Sequence, residues 1–214
     1  MVTKKSAKPS AAPEERPVRA RILEAAFSAF MENGFAETST LEIATRARAS
    51  KRELYAEFGS KQDILVACIS ERAERLKLPV DLPEIADRAT LQRALVAFGT
   101  RLLREVSDPS VVTVFRLAIS EAARAPGIAQ TLNDVAIAAS RAALREIMRR
   151  ALAAHLLHGE PPELAEHFFG LLWGSRMLDL LLNTAGRPGK REIAARAERA
   201  VSAFLLAYPA PGQR

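Results

Sequence analysis

STLEIATRARASKRELYAEFGSKQD, residues 39–63, carries one punctuation mark three times over. Ser39-x-x-Glu42, Ser50-x-x-Glu53 and Ser60-x-x-Asp63 each put a serine where a helix N-cap belongs and an acid three residues on. In that box the hydroxyl accepts from the N3 amide and the carboxylate accepts in turn from the N-cap amide. The starts lie 11 and 10 residues apart, which leaves room for about two turns in each of the first two helices. Helices so short are marginal alone and are held by packing. A short helix, a tight turn and a second short helix opening on Lys51 and Arg52 predict a helix-turn-helix over 40–58, the shape that fits a DNA major groove.

Upstream, Ile22, Leu23, Ala26, Phe27 and Phe30 keep 3/4 spacing and predict a helix over 17–33. Gly34 suits a left-handed closing residue that brings Phe35 back onto Phe30. Residues 1–16 read as a disordered tail. Its Lys4, Lys5 and Lys8 suit a basic arm near DNA, though the composition favours a solvated segment. Downstream, a helix from Lys61 carries Ile64, Leu65, Cys68, Ile69, Ala73 and Leu76 and fades at Leu78-Pro79. After a linker over 79–89, longer amphipathic helices follow. One spans 91–106 with Thr90 as N-cap, and the next spans 109–125 behind Asp108-Pro109. The others span 127–157, 163–183 and 190–208, separated by His158-Gly159 and a GRPG turn. No segment has strand periodicity. The expected fold is all-α with about nine helices: a three-helix DNA-binding head (17–76) on a helical body (77–214).

The 214 residues suffice for a sizeable core, and 49% are hydrophobic. Net charge is +6, but residues 1–65 hold 11 Lys and Arg against 9 Asp and Glu, so nucleic-acid binding rests on placement rather than bulk charge. The single cysteine, Cys68, excludes an intramolecular disulfide and sits in an apolar stretch as an inert thiol. The N-terminus lacks a signal-peptide apolar core, and the most apolar run, 168–182, is too short to span a bilayer. The expected location is cytoplasmic, away from membranes. His155, His158 and His167 have no partners at metal-ligand spacing, and neither a phosphate-cradling glycine loop nor a nucleophile elbow is present. No metal, cofactor or enzymatic activity is expected.

Gly34-Phe35, Thr38-Ser39, Ile43-Ala44, Ala47, Ser50-Lys51, Leu54-Tyr55, Phe58 and Ser60-Lys61 resemble, with spacing kept over about residues 18–76, the signature of the TetR family of transcriptional regulators. TVFRLAISEAARAP and HFFGLLWG more loosely resemble the C-terminal domain of its AefR-like members. The resemblance implies a homodimeric repressor that binds a palindromic operator in double-stranded DNA and is released by a small-molecule effector. It puts 51–58 in the major groove. Arg52 then suits a bidentate guanine contact, and Lys51 a phosphate or guanine. Tyr55, Ser39, Thr40 and Lys61 become phosphate ligands. Leu23, Ala26, Phe27, Ile43, Ala44, Ala47, Leu54 and Phe58 form the head's core. Two departures stand out. Arg48 replaces a glycine at the turn, where a left-handed residue is strained by about 1 kcal/mol unless the turn is rebuilt or the side chain gains a phosphate. Glu57 lies near the phosphates and is expected to point away or to pair with Arg52 or Lys61.

Dimerisation and effector binding fall to the body. Residues 163–183 are apolar on nearly every side and require burial on two. The expected four-helix dimer interface uses Phe168, Phe169, Leu172, Leu180, Ala197, Val201 and Phe204, with Gly170 and Gly174 allowing close approach. Phe98, Leu102, Phe115, Ile119, Met148, Trp173 and Met177 are candidates to line a mostly apolar effector cavity, with Glu121, Arg176 and Asp179 to orient the ligand. Two alternatives stay open: a DNA-binding regulator switched by a protein partner or by abundance, and a nonspecific architectural DNA binder, which calls for a more basic head.

Overall fold

A computed structural model of the chain describes residues 16–74, 84–123 and 126–210. The basic tail residues and the Leu78-Pro79 helix stop lie outside them, as do the side chains of Ala73 and Leu76. The described residues form eleven α-helices and no strand. The chain divides into two compact units, the first ending at Cys68 and the second beginning at Ile69.

The first unit contains α1 (Val18–Glu37), α2 (Thr40–Arg46), α3 (Lys51–Phe58) and the start of α4 (Lys61–Glu74). Ile22, Ala26, Phe30, Ile43, Leu54, Ile64 and Leu65 are fully buried between them. Phe27 is only half-buried. Gly34 breaks α1 with φ +80°, and Phe35 folds back to place its ring 5.4 Å from Phe30. Buried Thr38 then donates to the Ala29 and Gly34 carbonyls at 3.1 and 2.7 Å, fixing the approach to α2. The buried Cys68 thiol donates to the Leu23 carbonyl.

The second unit contains α5 (Arg88–Val106), α6 (Pro109–Glu121), α7 (Pro126–Leu132), α8 (Ala138–Ala153), α9 (Pro161–Trp173), α10 (Arg176–Leu181) and α11 (Lys190–Ala207). α5 packs on α11, and α9 packs between α8 and α11. Phe168 of α9 is the hub, 6.3 Å from Phe98 and edge-on to Phe204 at 5.5 Å. Gly99 makes this closeness possible, because a Cβ there would meet Leu172 at 3.0 Å.

Several expected boundaries move. Asp87, not Thr90, caps α5: its carboxylate accepts from the Thr90 amide at 2.7 Å and its own amide donates to the Thr90 hydroxyl at 2.9 Å. Thr90 thus closes the box from N3. The expected helix over 127–157 divides into α7, a π-helical turn at Asn133–Ile137, and α8, and it closes at His155 with φ +56°. The expected helix over 163–183 breaks at Gly174, whose φ of +48° and ψ of −131° lie outside the helical region. The pair Gly170 and Gly174 therefore does not form a helix-packing groove: one ends the helix and the other faces open space.

Burial within the unit corrects the expected interface. Phe168, Leu172, Leu180, Ala197, Val201 and Phe204 are buried within the second unit and offer no surface to another molecule. Phe169 is half-buried against a cavity instead. The exposed apolar side chains of this region are Leu171, Leu178, Leu182 and Leu206.

Five helix ends share one closing device. Each turns through a left-handed residue, and a cation from another helix meets the freed carbonyls there. Gly34 at the end of α1 is answered by Lys61, Arg48 after α2 by Arg21, and His155 after α8 by Arg88. Arg196 answers Gly174 after α9, and Arg116 answers Asn183 after α10. Positive charge at a helix C-terminus complements both the unpaired carbonyls and the macrodipole.

Candidate nucleic-acid interface

The three serine caps form as their spacing predicts, but with different completeness. Ser50 and Glu53 make the full reciprocal box, with the Glu53 amide donating to the Ser50 hydroxyl at 3.1 Å and the Ser50 amide donating to the Glu53 carboxylate at 2.7 Å. The Ser50 hydroxyl, and after it the Ser50 amide, hold the Glu53 carboxyl below its ordinary pKa. Ser60 accepts from the Asp63 amide at 3.1 Å and donates to its carboxylate. Ser39 accepts from the Glu42 amide at 3.0 Å. The Glu42 carboxylate turns away to Asn33 and Arg46, at 3.0 and 2.7 Å. Arg46 also donates to Glu32 at 2.8 Å, and this bond leads the causes that lower the Glu32 pKa and raise that of Arg46. Helix α2 is thereby stapled to α1, and α3 carries its own cap.

Between them lies the turn. Arg48 takes φ +49°, so the left-handed turn is kept and not rebuilt around the larger residue. From α1, Arg21 reaches in and donates to the Ala47 and Arg48 carbonyls at 3.2 and 3.1 Å. Nothing in the local pattern of 39–63 announces this clamp, because its residue lies 27 positions upstream.

Glu57 does point into a pair, but its partner is Arg19, neither Arg52 nor Lys61. The Arg19 guanidinium lies 3.9 Å from the Glu57 carboxylate, donates to the Glu57 carbonyl at 3.4 Å, and rests 4.5 Å over the Phe58 ring. Lys61 is also engaged. Its ammonium donates to the Phe35, Ala36 and Thr38 carbonyls at 2.8, 3.3 and 2.9 Å, with the Phe35 ring 4.5 Å away. All three of its N–H groups are occupied, so this geometry withdraws it from the phosphate ligands expected at the start of α4.

Lys51 and Arg52 differ from every other cation of residues 16–68. Both are exposed on the first turn of α3 and neither bonds to a described residue. Half-exposed Tyr55 lies one turn on, its hydroxyl 3.2 Å from that of Thr40 at the start of α2. Only one O–H of that pair is used between them, which frees the other to donate outward. Exposed Ser39 and Arg48 flank the same α2–turn–α3 segment.

The second unit holds a cavity of about 520 Å³. Of the expected lining residues it brings together Leu102, Phe115, Trp173 and Met177. Phe98 and Met148 are packed into the core, and Ile119, 59% exposed, faces outward. The expected polar residues lie elsewhere: Arg176 pairs with Glu192 at 2.9 Å, Asp179 bonds to Ser175, and buried Glu121 does not line the cavity. The polar groups that do line it are Ser140, Arg141, Arg145 and Glu166. No helix among the described residues is long and apolar enough to cross a membrane.

Two short capped helices around a clamped turn, with free cations opening the second, define a helix-turn-helix DNA-binding regulator. Comparison with known proteins carries this to a family. Residues 22–68 match the model of bacterial regulatory proteins of the tetR family, and residues 93–210 that of the AefR-like transcriptional repressor C-terminal domain. The chain belongs to the TetR family of transcriptional regulators. A crystal structure assigned to that family, from Mesorhizobium loti MAFF303099, superposes with a TM-score of 0.78 at 25% identity, covering 94% of this chain and 100% of the other. The flavonoid-responsive regulator FrrA superposes with a TM-score of 0.75 at 29% identity, over 91% and 98% of the two chains. The uncharacterized HTH-type transcriptional regulator YvkB of Bacillus subtilis is 31% identical over 91 residues, which span 42% of this chain and 46% of that protein.

Proposed function

We propose that the protein is a homodimeric repressor that reads a palindromic operator with α3 and releases it when a small effector enters the cavity of the second unit. One observation carries the DNA half of this reading. Among the cations of residues 16–68, Arg16, Arg19, Arg21, Arg46, Arg48 and Lys61 are all engaged within the protein, whereas Lys51 and Arg52 bond to none of the described residues. A free cation pair on the first turn of a recognition helix is placed for base edges. Arg52 then makes the bidentate guanine contact and Lys51 a guanine or phosphate contact. Tyr55, Thr40 and Ser39 hold the backbone, and exposed Arg48 in the turn joins them by exchanging its contact within the protein for a phosphate.

One such head covers a half-site too short for selectivity, so a symmetric pair is the economical solution. Leu171 on α9, Leu178 on α10, Leu182 just after it and Leu206 on α11 are the exposed large apolar side chains of these helices and are offered to a second copy. The cavity, with apolar walls and a few converging polar groups, has the character of an effector site. α4 belongs in part to each unit and provides the covalent path for coupling. Its effect is bounded by the effector's difference in affinity for the two states.

The test is gel-shift titration with the DNA upstream of the gene. Wild type is expected to retard a near-palindrome there, and a variant carrying both Arg52→Ala and Tyr55→Phe is expected not to. Equal retardation by both would remove α3 from the groove.

A further inference from the structure

The cavity of the second unit is graded from a buried apolar floor to a charged, exposed rim. Leu102 and Ala165 are buried at its base, and half-buried Phe115, Phe169 and Trp173 form aromatic walls. Exposed Arg141 and Arg145 stand on one face of α8, a single turn apart, with exposed Glu166 on α9. The same helix treats its arginines in two ways. Arg149 and Arg150 are locked to Glu146 at 2.7 and 2.9 Å, and these two bonds hold the Glu146 carboxyl down at about 2. Arg141 and Arg145 line the cavity without a bonding partner among the described residues. The π-helical turn at Asn133–Ile137 directly precedes this face and sets the register in which Ile137, Ser140 and Arg141 enter the cavity.

We propose that the effector is an aromatic monoanion, its ring system held between Phe115, Phe169 and Trp173 and its carboxylate or sulfonate held by Arg141 and Arg145. This rests on the reading of the cavity as an effector site. Two guanidinium groups one turn apart suit an oxyanion, to which each can donate in the plane of its fork. The aromatic walls favour flat rings over an alkyl chain. Glu166 sets the charge of the head group. With two positive side chains and one negative at the mouth, a single negative charge completes neutrality and a second is opposed.

A matched pair of probes separates the parts of this proposal. 8-Anilinonaphthalene-1-sulfonate and N-phenyl-1-naphthylamine share a ring system and differ by one sulfonate. Trp173 is the chain's single tryptophan and lines the cavity, so energy transfer from it reports binding, and its response to changes at Arg141, Arg145 and Glu166 assigns that binding to this cavity. In the full chain both probes are expected to quench Trp173, the sulfonate binding tighter by at least about tenfold, as one charge-assisted hydrogen bond warrants. Replacing Arg141 and Arg145 together by Gln should abolish that preference, leave the amine's affinity as it was, and leave the far-UV circular dichroism unchanged. Glu166→Gln, which keeps both arginines, should tighten the sulfonate and not the amine. 1-Naphthoate should displace the sulfonate more readily than 1-naphthyl phosphate, a dianion at neutral pH.

If neither probe quenches Trp173, the cavity is not an effector site and the reading beneath the proposal falls. If both quench it with equal affinity, or the preference survives loss of both arginines, the cavity stands and the anion proposal is overturned. Should the double variant unfold, Glu166→Gln decides, and no gain for the sulfonate counts against the proposal. A phosphate that outcompetes the carboxylate would overturn the monoanion assignment.

Discussion

Lys61→Met separates two roles for one cation. The substitution keeps the stem beside the Phe35 ring and removes the ammonium that donates to the Phe35, Ala36 and Thr38 carbonyls at 2.8, 3.3 and 2.9 Å. A hydrogen bond to a charged group contributes about 1.5–3 kcal/mol net where it is well shielded. Lys61 is half-buried, and water can reach part of the site once the ammonium is gone. The three bonds together therefore stand near the middle of that range, about 2 kcal/mol. This loss corresponds to about a 30-fold rise in native-state hydrogen exchange for the most protected amides of α1 and α2. DNA affinity measured well below the unfolding temperature should stay near wild type, and so should its salt dependence, because the ammonium has no N–H left for a phosphate. The opposite pattern refutes the clamp: unchanged exchange, weaker DNA binding, and a log–log salt slope shallower by about 0.9, the mark of one lost phosphate contact.

Other substitutions test neighbouring claims. Arg52→Ala should cost about 1–3 kcal/mol at one base-pair position and relax selectivity there, measured by competition with single-base operator variants; uniform weakening across sequences would make Arg52 a phosphate ligand. Arg48→Gly relieves about 1 kcal/mol of left-handed strain, and the glycine's greater freedom in the unfolded chain returns about 0.5–1 kcal/mol. Head stability should thus stay within about 1 kcal/mol while DNA affinity falls, and a much larger loss of stability would show that Arg48 supports the turn. Ser50→Ala removes the group that most depresses the Glu53 pKa. With the folded pKa below the unfolded one, the box's ionic contribution is complete above the ordinary value of 4.5 and fades as pH falls through the lower folded value. The stability gap between wild type and variant should therefore narrow below that pH, and a widening gap would contradict the assignment. Leu178→Glu with Leu206→Glu should give monomers in sedimentation velocity and abolish operator retention; intact dimers would place the interface elsewhere.

The parts legible in the sequence are those that local chemistry decides. An N-cap and its N3 acid lie three residues apart, so Ser39, Ser50 and Ser60 announce helix starts within one window. Asp108-Pro109 does the same for α6. Glycine at a left-handed position is equally local, and Gly34 closes on Phe35 as the pattern implies. The C-terminal closures need a distant partner. Arg21 lies 27 residues from Arg48, Lys61 lies 26 from Phe35, and Arg88 lies 120 from Tyr208, whose carbonyl it also caps. No periodicity links such pairs. A helical wheel meets a related limit: drawn over 163–183 it assumes one axis, and the break at Gly174 ends that axis. Beyond it, Leu178 and Leu182 are exposed while Leu180 joins the core.

A basic side chain in this chain is therefore informative only once its fold partner is known. Counted on the sequence, Lys61 and Arg52 are equivalent: each stands in the first turn of a helix behind a capping serine. The fold separates them, because the end of α1 comes within reach of Lys61 and no carbonyl or carboxylate of the described residues bonds to Arg52. The same division recurs on α8, where Glu146 neutralises Arg149 and Arg150 and leaves Arg141 and Arg145 at the cavity mouth. In both places some cations are satisfied within the protein and two on one helical face have no partner among the described residues. Holding a charge unpaired at the surface costs little in water, so stability does not select against it. An anion that brings its own desolvated oxygens gains most from such a pair, which makes the unpaired cations of α3 and α8 the positions where DNA and effector chemistry should be sought first.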